Sequence, residues 1–279
     1  MRVFITGATG YVGAAVASAL FDRGHEITAL VRPESEAKDL RERGVVIVAG
    51  DLASLPELAG TLKGHDAFVH TAFGRTRDAV AHDKTAVDVM TRAGFLVYTS
   101  GVWVLGPGAS NESSPPNPIP LVAWRAGHEQ IVLAGGPNAV VRPGCVYGGK
   151  QSLLAEWFAA GDQRRPLQVP GDGNNRWAMV NLHDLADCYV RVVEQRAGGI
   201  CDAVDDTRST LNECARAVAP SGKIEHVAAE GPMAAALALD QNVSSDATRR
   251  KLGWTPRRTF LTSIDEQWRE WRAALRPTD

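Results

Sequence analysis

The chain has 279 residues, 30 basic and 32 acidic side chains, a formal charge of −2 and 44% hydrophobic residues. That length suits one large α/β domain or a nucleotide-binding domain with a smaller lobe, and the mixed charges exclude a basic stripe for nucleic acid or a polybasic membrane patch. Cys145, Cys188, Cys201 and Cys214 form no Cys-x-x-Cys pair, and the sequence shows neither a leader pattern nor an apolar run of eighteen residues, so the expectation is a cytoplasmic protein with reduced thiols that acts on a small molecule.

The first thirteen residues set the organisation. Val3, Phe4 and Ile5 read as a buried strand, and Gly7, Gly10 and Gly13 follow at intervals of three. Gly7 allows a tight turn, Gly10 lets backbone approach a ligand, and Gly13 lets the next helix pack on the strand. That helix starts near Tyr11. Its free N–H groups and positive dipole end suit a pyrophosphate, which makes Gly7, Thr9, Gly10, Tyr11 and Val12 candidate dinucleotide contacts. Val12, Val16, Ala19 and Leu20 recur at helical spacing, and Arg23-Gly24 closes the helix. Residues 27–31 make the second strand, which ends at Arg32-Pro33. A fold that prefers NAD places a carboxylate at this tip for the ribose 2′-hydroxyl, whereas an arginine pairs with a 2′-phosphate, so Arg32 points to NADP(H).

Residues 45–48 form a third strand running into Gly50-Asp51-Leu52, and residues 65–72 a fourth ending in the small Thr71 and Ala72. Ligands of open parallel sheets lie at the carboxyl ends of strands, so Asp51, Leu52, Thr71 and Ala72 are candidate adenine and ribose neighbours. A solvated, helix-capping Asp51 is the plainer alternative. A helical stretch at 78–93 leads to a fifth strand at 95–101. The alternation predicts an α/β fold, a Rossmann-type doubly wound parallel sheet.

Residues 106–120 hold five prolines and form a loop at the sheet's carboxyl edge. A helix follows over 121–134. Beyond Tyr147 the aromatics and turns mark a smaller C-terminal substrate lobe, giving a nucleotide domain of 1–146 with 180–204 returning to it, and a lobe of 147–179 and 205–279. Asp184 reads as an N-cap, with a catalytic carboxylate as the alternative. The last helix opens with Ser263-x-x-Glu266, a capping box, and carries Leu261, Ile264, Trp268, Trp271 and Leu275 on one face. Its tryptophans pack onto the core or onto a partner subunit, which leaves a homodimer open.

Several of these segments together resemble the extended short-chain dehydrogenase/reductases, which include the NAD-dependent epimerase/dehydratase relatives. They are the Gly7-x-x-Gly10-x-x-Gly13 loop, Gly50-Asp51-Leu52, Tyr98-Thr99-Ser100, Arg142-Pro143-Gly144-Cys145-Val146-Tyr147-Gly148, residues 180–186 and Leu252-Gly253-Trp254-Thr255-Pro256. The resemblance implies the same fold, and it implies cofactor contacts at Pro143 and Val146.

It also implies a tyrosine acid/base with a lysine four residues on, whose charge lowers the phenol from a pKa of ~10. Tyr11, Tyr98, Tyr147 and Tyr189 are the only tyrosines, and none has a lysine at that spacing. Matching by Glu129-Gln130 puts Arg125 at the lysine and Leu121 at the tyrosine. Matching by distance from Ser100 puts His128 and Trp124 there instead. The resemblance also implies a serine or threonine at the end of the fifth strand, which is Ser100 there but shifts to Gly101 when Leu105-Gly106 is the anchor. Three readings follow. The first is an NADP(H)-dependent oxidoreductase reducing a carbonyl, with Ser100 holding the oxygen and His128, or a water relayed through Arg125, supplying the proton. The second is a nucleotide-sugar epimerase or dehydratase. The third is a non-catalytic NADP(H) sensor. Phe73, Trp103, Trp124, Trp157, Phe158 and Trp177 are candidates for a pocket taking an uncharged or aromatic compound. No histidine spacing suggests a metal site.

Overall fold

The computed structural model describes residues 1–275 apart from Arg75, Lys150 and Pro232. In chain order the elements are β1 (Arg2–Thr6), α1 (Tyr11–Asp22), β2 (Glu26–Val31), α2 (Lys38–Glu42), β3 (Val46–Ala49), β4 (Ala67–His70), α3 (Ala79–Ala93), β5 (Phe95–Thr99), β6 (Gly108–Ser110), α4 (Ala123–Ala134), β7 (Ala139–Pro143) and β8 (Cys145–Tyr147). They continue with α5 (Ala155–Asp162), β9 (Leu167–Pro170), β10 (Met179–Asn181), α6 (Leu182–Gln195), β11 (Gly199–Ala203), α7 (Leu211–Val218), β12 (Ile224–Val227), α8 (Ala234–Leu237), β13 (Gln241–Val243), α9 (Asp246–Leu252) and α10 (Ile264–Ala273).

The first of two units takes Met1–Ser100, Trp124–Arg142 and Ala186–Cys201. Its frame is the expected Rossmann-type sheet, of order β11-β7-β5-β4-β1-β2-β3, with parallel pairing from β7 through to β3. Strand order reverses between β1 and β4, and in such sheets the crevice beyond the strand ends at that point takes the ligand. The central strands are mostly apolar and buried on both faces: every residue of β4 and β7 is buried, His70 and Arg142 included. Phe4, Phe68, Leu96 and Val140 pack with Val87 and Met90 of α3 and Val132 of α4. Burying each such side chain contributes about 1.5–3 kcal/mol. The helix α1 stops at Arg23 because Gly24 takes a φ of 80°.

The second unit comprises Gly101–Ala123, Pro143–Leu185 and the chain from Asp202 on. Residues 101–123, 143–146, 180–185 and 202–204, expected with the nucleotide domain, fall here, so this unit is no smaller than the first. One reason is β6, which pairs in parallel with β13 and draws the proline-rich loop to that part of the chain. A core of Leu154, Trp157, Phe158, Leu167, Trp177 and Phe260 gathers Trp268 and Trp271 from α10, so the last helix packs its tryptophans inward.

Two capping expectations fail. Asp184 lies inside the first turn of α6, and Asn181 instead accepts the His183 N–H at 2.9 Å. The Asp184 carboxylate accepts from the backbone N–H groups of Arg257 and Arg258 and from the Arg258 guanidinium at 2.8 Å. Ser263 makes no capping bond; its hydroxyl donates to the Thr259 carbonyl, and Glu266 pairs with Arg258. The capping box is at Thr210 and Glu213, starting α7. In both cases an arginine offered the carboxylate more than the helix end did.

Candidate active site

The glycine loop is built around the end of β4. Gly7 has a φ of 81°, and a Cβ there would meet the Ala72 nitrogen at 2.6 Å and Thr71 Oγ1 at 2.7 Å. A Cβ at Gly13 would collide with the Gly7 carbonyl and Thr71 Oγ1, so the third glycine sets the close approach of α1 to β1. Gly10 is different. A Cβ there would meet only the Gly7 oxygen, at 3.2 Å, and Gly10 caps α1 with no side-chain bond. The space beside Gly10 and the uncapped helix end fit a dinucleotide pyrophosphate. Thr9 is exposed, and Tyr11 and Val12 are half-buried in the first helical turn. Thr71 is committed to the frame, since its hydroxyl donates to the Thr6 carbonyl at 2.7 Å.

Arg32 follows β2 with its side chain 65% exposed and Glu34 beside it at 3.4 Å. Asp51 closes a turn rather than a helix: its Oδ1 accepts the Ser54 N–H at 2.9 Å, and that bond outweighs slight burial and holds the carboxyl below its usual range. Leu52 packs against the sheet core. Pro143 ends β7 and Val146 lies in β8, both within the second unit.

The end of β5 carries the reactive candidates. Ser100 continues the β5–β7 pairing through its N–H, which donates to the Val141 carbonyl at 2.8 Å. Its Oγ is buried and has no hydrogen-bond partner among the described residues. A native polar atom left in that condition calls for an explanation. The neighbouring Thr99 is satisfied twice: its hydroxyl meets Tyr189 Oη at 2.6 Å, and its carbonyl accepts from Arg125 Nη1 at 2.8 Å. Arg125, on α4, also lies 4.4 Å from the Trp124 ring centre and 5.3 Å from that of Phe73. Those two rings stack at 4.9 Å, and Phe73 remains 46% exposed.

One turn along α4, His128 is buried with its Nδ1 2.7 Å from Asp83 Oδ2. Tyr98 Oη donates to the same oxygen at 3.0 Å. His70 Nε2 stands 3.4 Å from Oδ1, near enough to interact by charge but not as a directed hydrogen bond, and its Nδ1 lies 2.6 Å from Thr6 Oγ1. Asp83, His70, Tyr98 and Thr6 were not among the candidates. Asp83 did leave a trace in the sequence: it stands on the α3 stripe with Ala79, Ala86, Val87 and Met90, where a charged residue needs a partner. Glu129, the next residue on α4, forms a buried ion pair with Arg142 at 2.6 Å.

No tyrosine here replaces the missing phenol. Tyr98 and Tyr189 are fully buried, and burial raises both phenols above their ordinary pKa, with Asp83 raising Tyr98 further. Tyr147, in the second unit, is raised in the same way and donates to Asp205. Of the aromatic candidates, Trp157, Phe158 and Trp177 are core, and Trp103 packs against that core. A cleft of about 470 Å³ in the second unit, lined by Ser110, Asp206, Arg208, Ser245 and Arg249, contains none of the candidate residues, and its arginines are occupied by Asp206 and by backbone carbonyls. Among the described residues no cluster suits a metal ion, and no helix is long and apolar enough to cross a membrane.

A family model described as NAD(P)H-binding matches residues 7–144. An uncharacterized protein of Schizosaccharomyces pombe is 26% identical over 94% of this chain and 97% of its own length. The 4-hydroxy-2-methyl-3-oxo-4-farnesyl-3,4-dihydroquinoline-1-oxide ketoreductase of Stigmatella aurantiaca is 32% identical over 71% of this chain and 66% of its own. The UDP-glucose 4-epimerase of Thermus thermophilus, solved with NAD, is similar with a TM-score of 0.84 at 19% identity, covering 99% of this chain and all of that one, which shows the fold.

Proposed function

From the premise that this chain is an NAD(P)H-binding oxidoreductase of the extended short-chain dehydrogenase/reductase superfamily, we propose that it uses NADP(H) to reduce the carbonyl of a small, uncharged or aromatic compound. The observation that carries the reading is the unpartnered hydroxyl of Ser100 at the end of β5. A buried donor with no acceptor is suited to a ligand oxygen, and a ketone or aldehyde supplies one. The similarity to a ketoreductase supports the direction of the chemistry.

Gly7, Gly10 and the first turn of α1 would hold the pyrophosphate, Arg32 the 2′-phosphate, and Asp51, Leu52, Thr71 and Ala72 the adenosine side. The reduced nicotinamide, when bound, supplies a hydride. Ser100 Oγ–H donates to the carbonyl oxygen and polarises it. Arg125, pinned by the Thr99 carbonyl and the faces of Trp124 and Phe73, adds positive charge where the alkoxide develops. A guanidinium is a donor that does not give up its proton in proteins, so this group stabilises charge and does not supply the proton. That task falls to His128. The exposed Phe73 ring offers an apolar surface to the substrate.

The test is to mix the protein with NADPH or NADH and a panel of ketones, aldehydes and enones. Consumption of NADPH above background, faster than that of NADH and lost in Ser100→Ala, supports the reading. Tight NADPH binding without turnover would make the protein a sensor instead.

A further inference from the structure

We propose that Asp83 is the positioning residue of His128, holding the imidazole by Nδ1 so that Nε2 delivers the proton that completes carbonyl reduction; this rests on the reductase reading above. The two side chains come from different helices, α3 and α4, and meet at 2.7 Å with 2% and 8% of their surfaces exposed. A carboxylate on the apolar stripe of a helix is expensive unless its charge is answered. Here it is answered from three elements: His128 from α4, Tyr98 from β5, and His70 from β4, itself held by Thr6 at the end of β1. Burial alone would raise the Asp83 carboxyl. The contacts from His128 and then His70, with the nearby Arg125 charge, overcome that and keep it below the usual carboxylate range.

An anion facing Nδ1 fixes the proton on that nitrogen and leaves Nε2 as the site of exchange. Among the described residues Nε2 makes no hydrogen bond, and His128 keeps 7% of its surface open. The Trp124 ring, edge-on at 5.0 Å, limits rotation of the imidazole. The remaining acid on this part of α4, Glu129, is committed to Arg142 and does not compete for the ring. The step balances. A bound, reduced nicotinamide would supply the hydride to the carbonyl carbon, which would leave an alkoxide on the substrate. The Nε2–H bond of the imidazolium breaks as the alkoxide O–H bond forms, and the neutral imidazole then regains a proton from solvent. Asp83 stays ionised throughout and keeps its hold on Nδ1.

The experiment measures kcat and KM against pH for the wild type, Asp83→Asn and His128→Gln, with NADPH and a ketone that is turned over. Donation needs the charged ring, so kcat falls as pH rises through its titration. Loss of the anion removes the charge that holds the protonated ring and moves this falling limb to lower pH. It also lowers kcat at neutral pH by about ten-fold or more, with KM for NADPH unchanged. His128→Gln removes the limb. A folded Asp83→Asn protein with an unmoved limb overturns the proposal. Histidine side-chain NMR of the wild type reads the same contact without a variant: the neutral His128 ring should carry its proton on Nδ1, and a proton on Nε2 with Nδ1 bare overturns it. If Nδ1 is protonated but no carbonyl is reduced, the reductase reading falls and takes proton delivery with it, while the hold of Asp83 on the ring stands.

Discussion

Replacing Gly13 and Gly10 separately by alanine distinguishes a glycine kept for the fold from one kept for the cofactor. A methyl at Gly13 drives into the Gly7 carbonyl and Thr71 Oγ1. Neither can swing away: the carbonyl accepts the Gly10 N–H at 2.8 Å, and the hydroxyl is bonded to the Thr6 carbonyl at 2.7 Å. The helix α1 must therefore lift from β1. Forcing extra volume into such a contact costs about 1–3 kcal/mol, and the upper end applies where the obstacle is backbone. Alanine recovers up to about 1 kcal/mol of helix propensity, leaving a net loss of about 2 kcal/mol. At Gly10 a methyl meets one oxygen at 3.2 Å, and the lost cap costs about 0.5 kcal/mol. Urea unfolding should thus show Gly13→Ala markedly weakened and Gly10→Ala nearly unchanged. NADPH fluorescence titration should show Gly10→Ala binding at least about ten-fold more weakly, because the methyl occupies the space left for phosphate. Equal stability of Gly13→Ala and wild type, or unchanged NADPH affinity in Gly10→Ala, would refute this division of roles.

Arg32→Asp should weaken NADPH binding by about 10–100-fold and narrow or reverse the preference over NADH, read as the ratio of the two Kd values; an unchanged ratio places the 2′-phosphate elsewhere. Glu129→Gln removes the carboxylate facing Arg142 while both sites are at most 3% exposed, so unfolding free energy should fall by about 3–5 kcal/mol. Asp205 is raised by burial from 3.8 to about 6, against the bonds from Thr207 and Tyr147. A carboxyl raised in the folded state binds protons more tightly there, so the Asp205 contribution to stability is fully present below pH ~4 and is lost as pH climbs through about 6. At ~1.4 kcal/mol per pH unit the loss is about 3 kcal/mol. Asp205→Asn should flatten that slope in urea titrations at several pH values, and a slope that persists would assign it to another group.

The sequence by itself determined the sheet and the cofactor cradle. Apolar runs such as Val3-Phe4-Ile5 have one stable use in an α/β chain, a strand buried on both faces, and glycines at 7, 10 and 13 have few uses next to such a strand. Both signals are local, since they depend on backbone dihedrals and on neighbours within a few residues. The positions of Arg32, Asp51 and Ser100 at or after strand ends were legible for the same reason, because each strand is marked by its own apolar run.

What only the tertiary structure decided was the answer to each charge. Asp184 and Glu266 look like helix-capping residues in sequence, but Arg258, 74 positions from the first and eight from the second, took both. Asp83 looks like one more polar residue beside His82 and Lys84, yet it meets His128 across 45 positions. Trp157, Phe158 and Trp177 could be told from Phe73 and Trp124 only once packing had shown which rings the core consumed. Periodicity says which face of an element is buried. It does not say which distant group will lie opposite, and a buried charge is governed by that group, because in a poorly solvated interior the nearest counter-charge or hydrogen-bond donor sets both its cost and its chemistry.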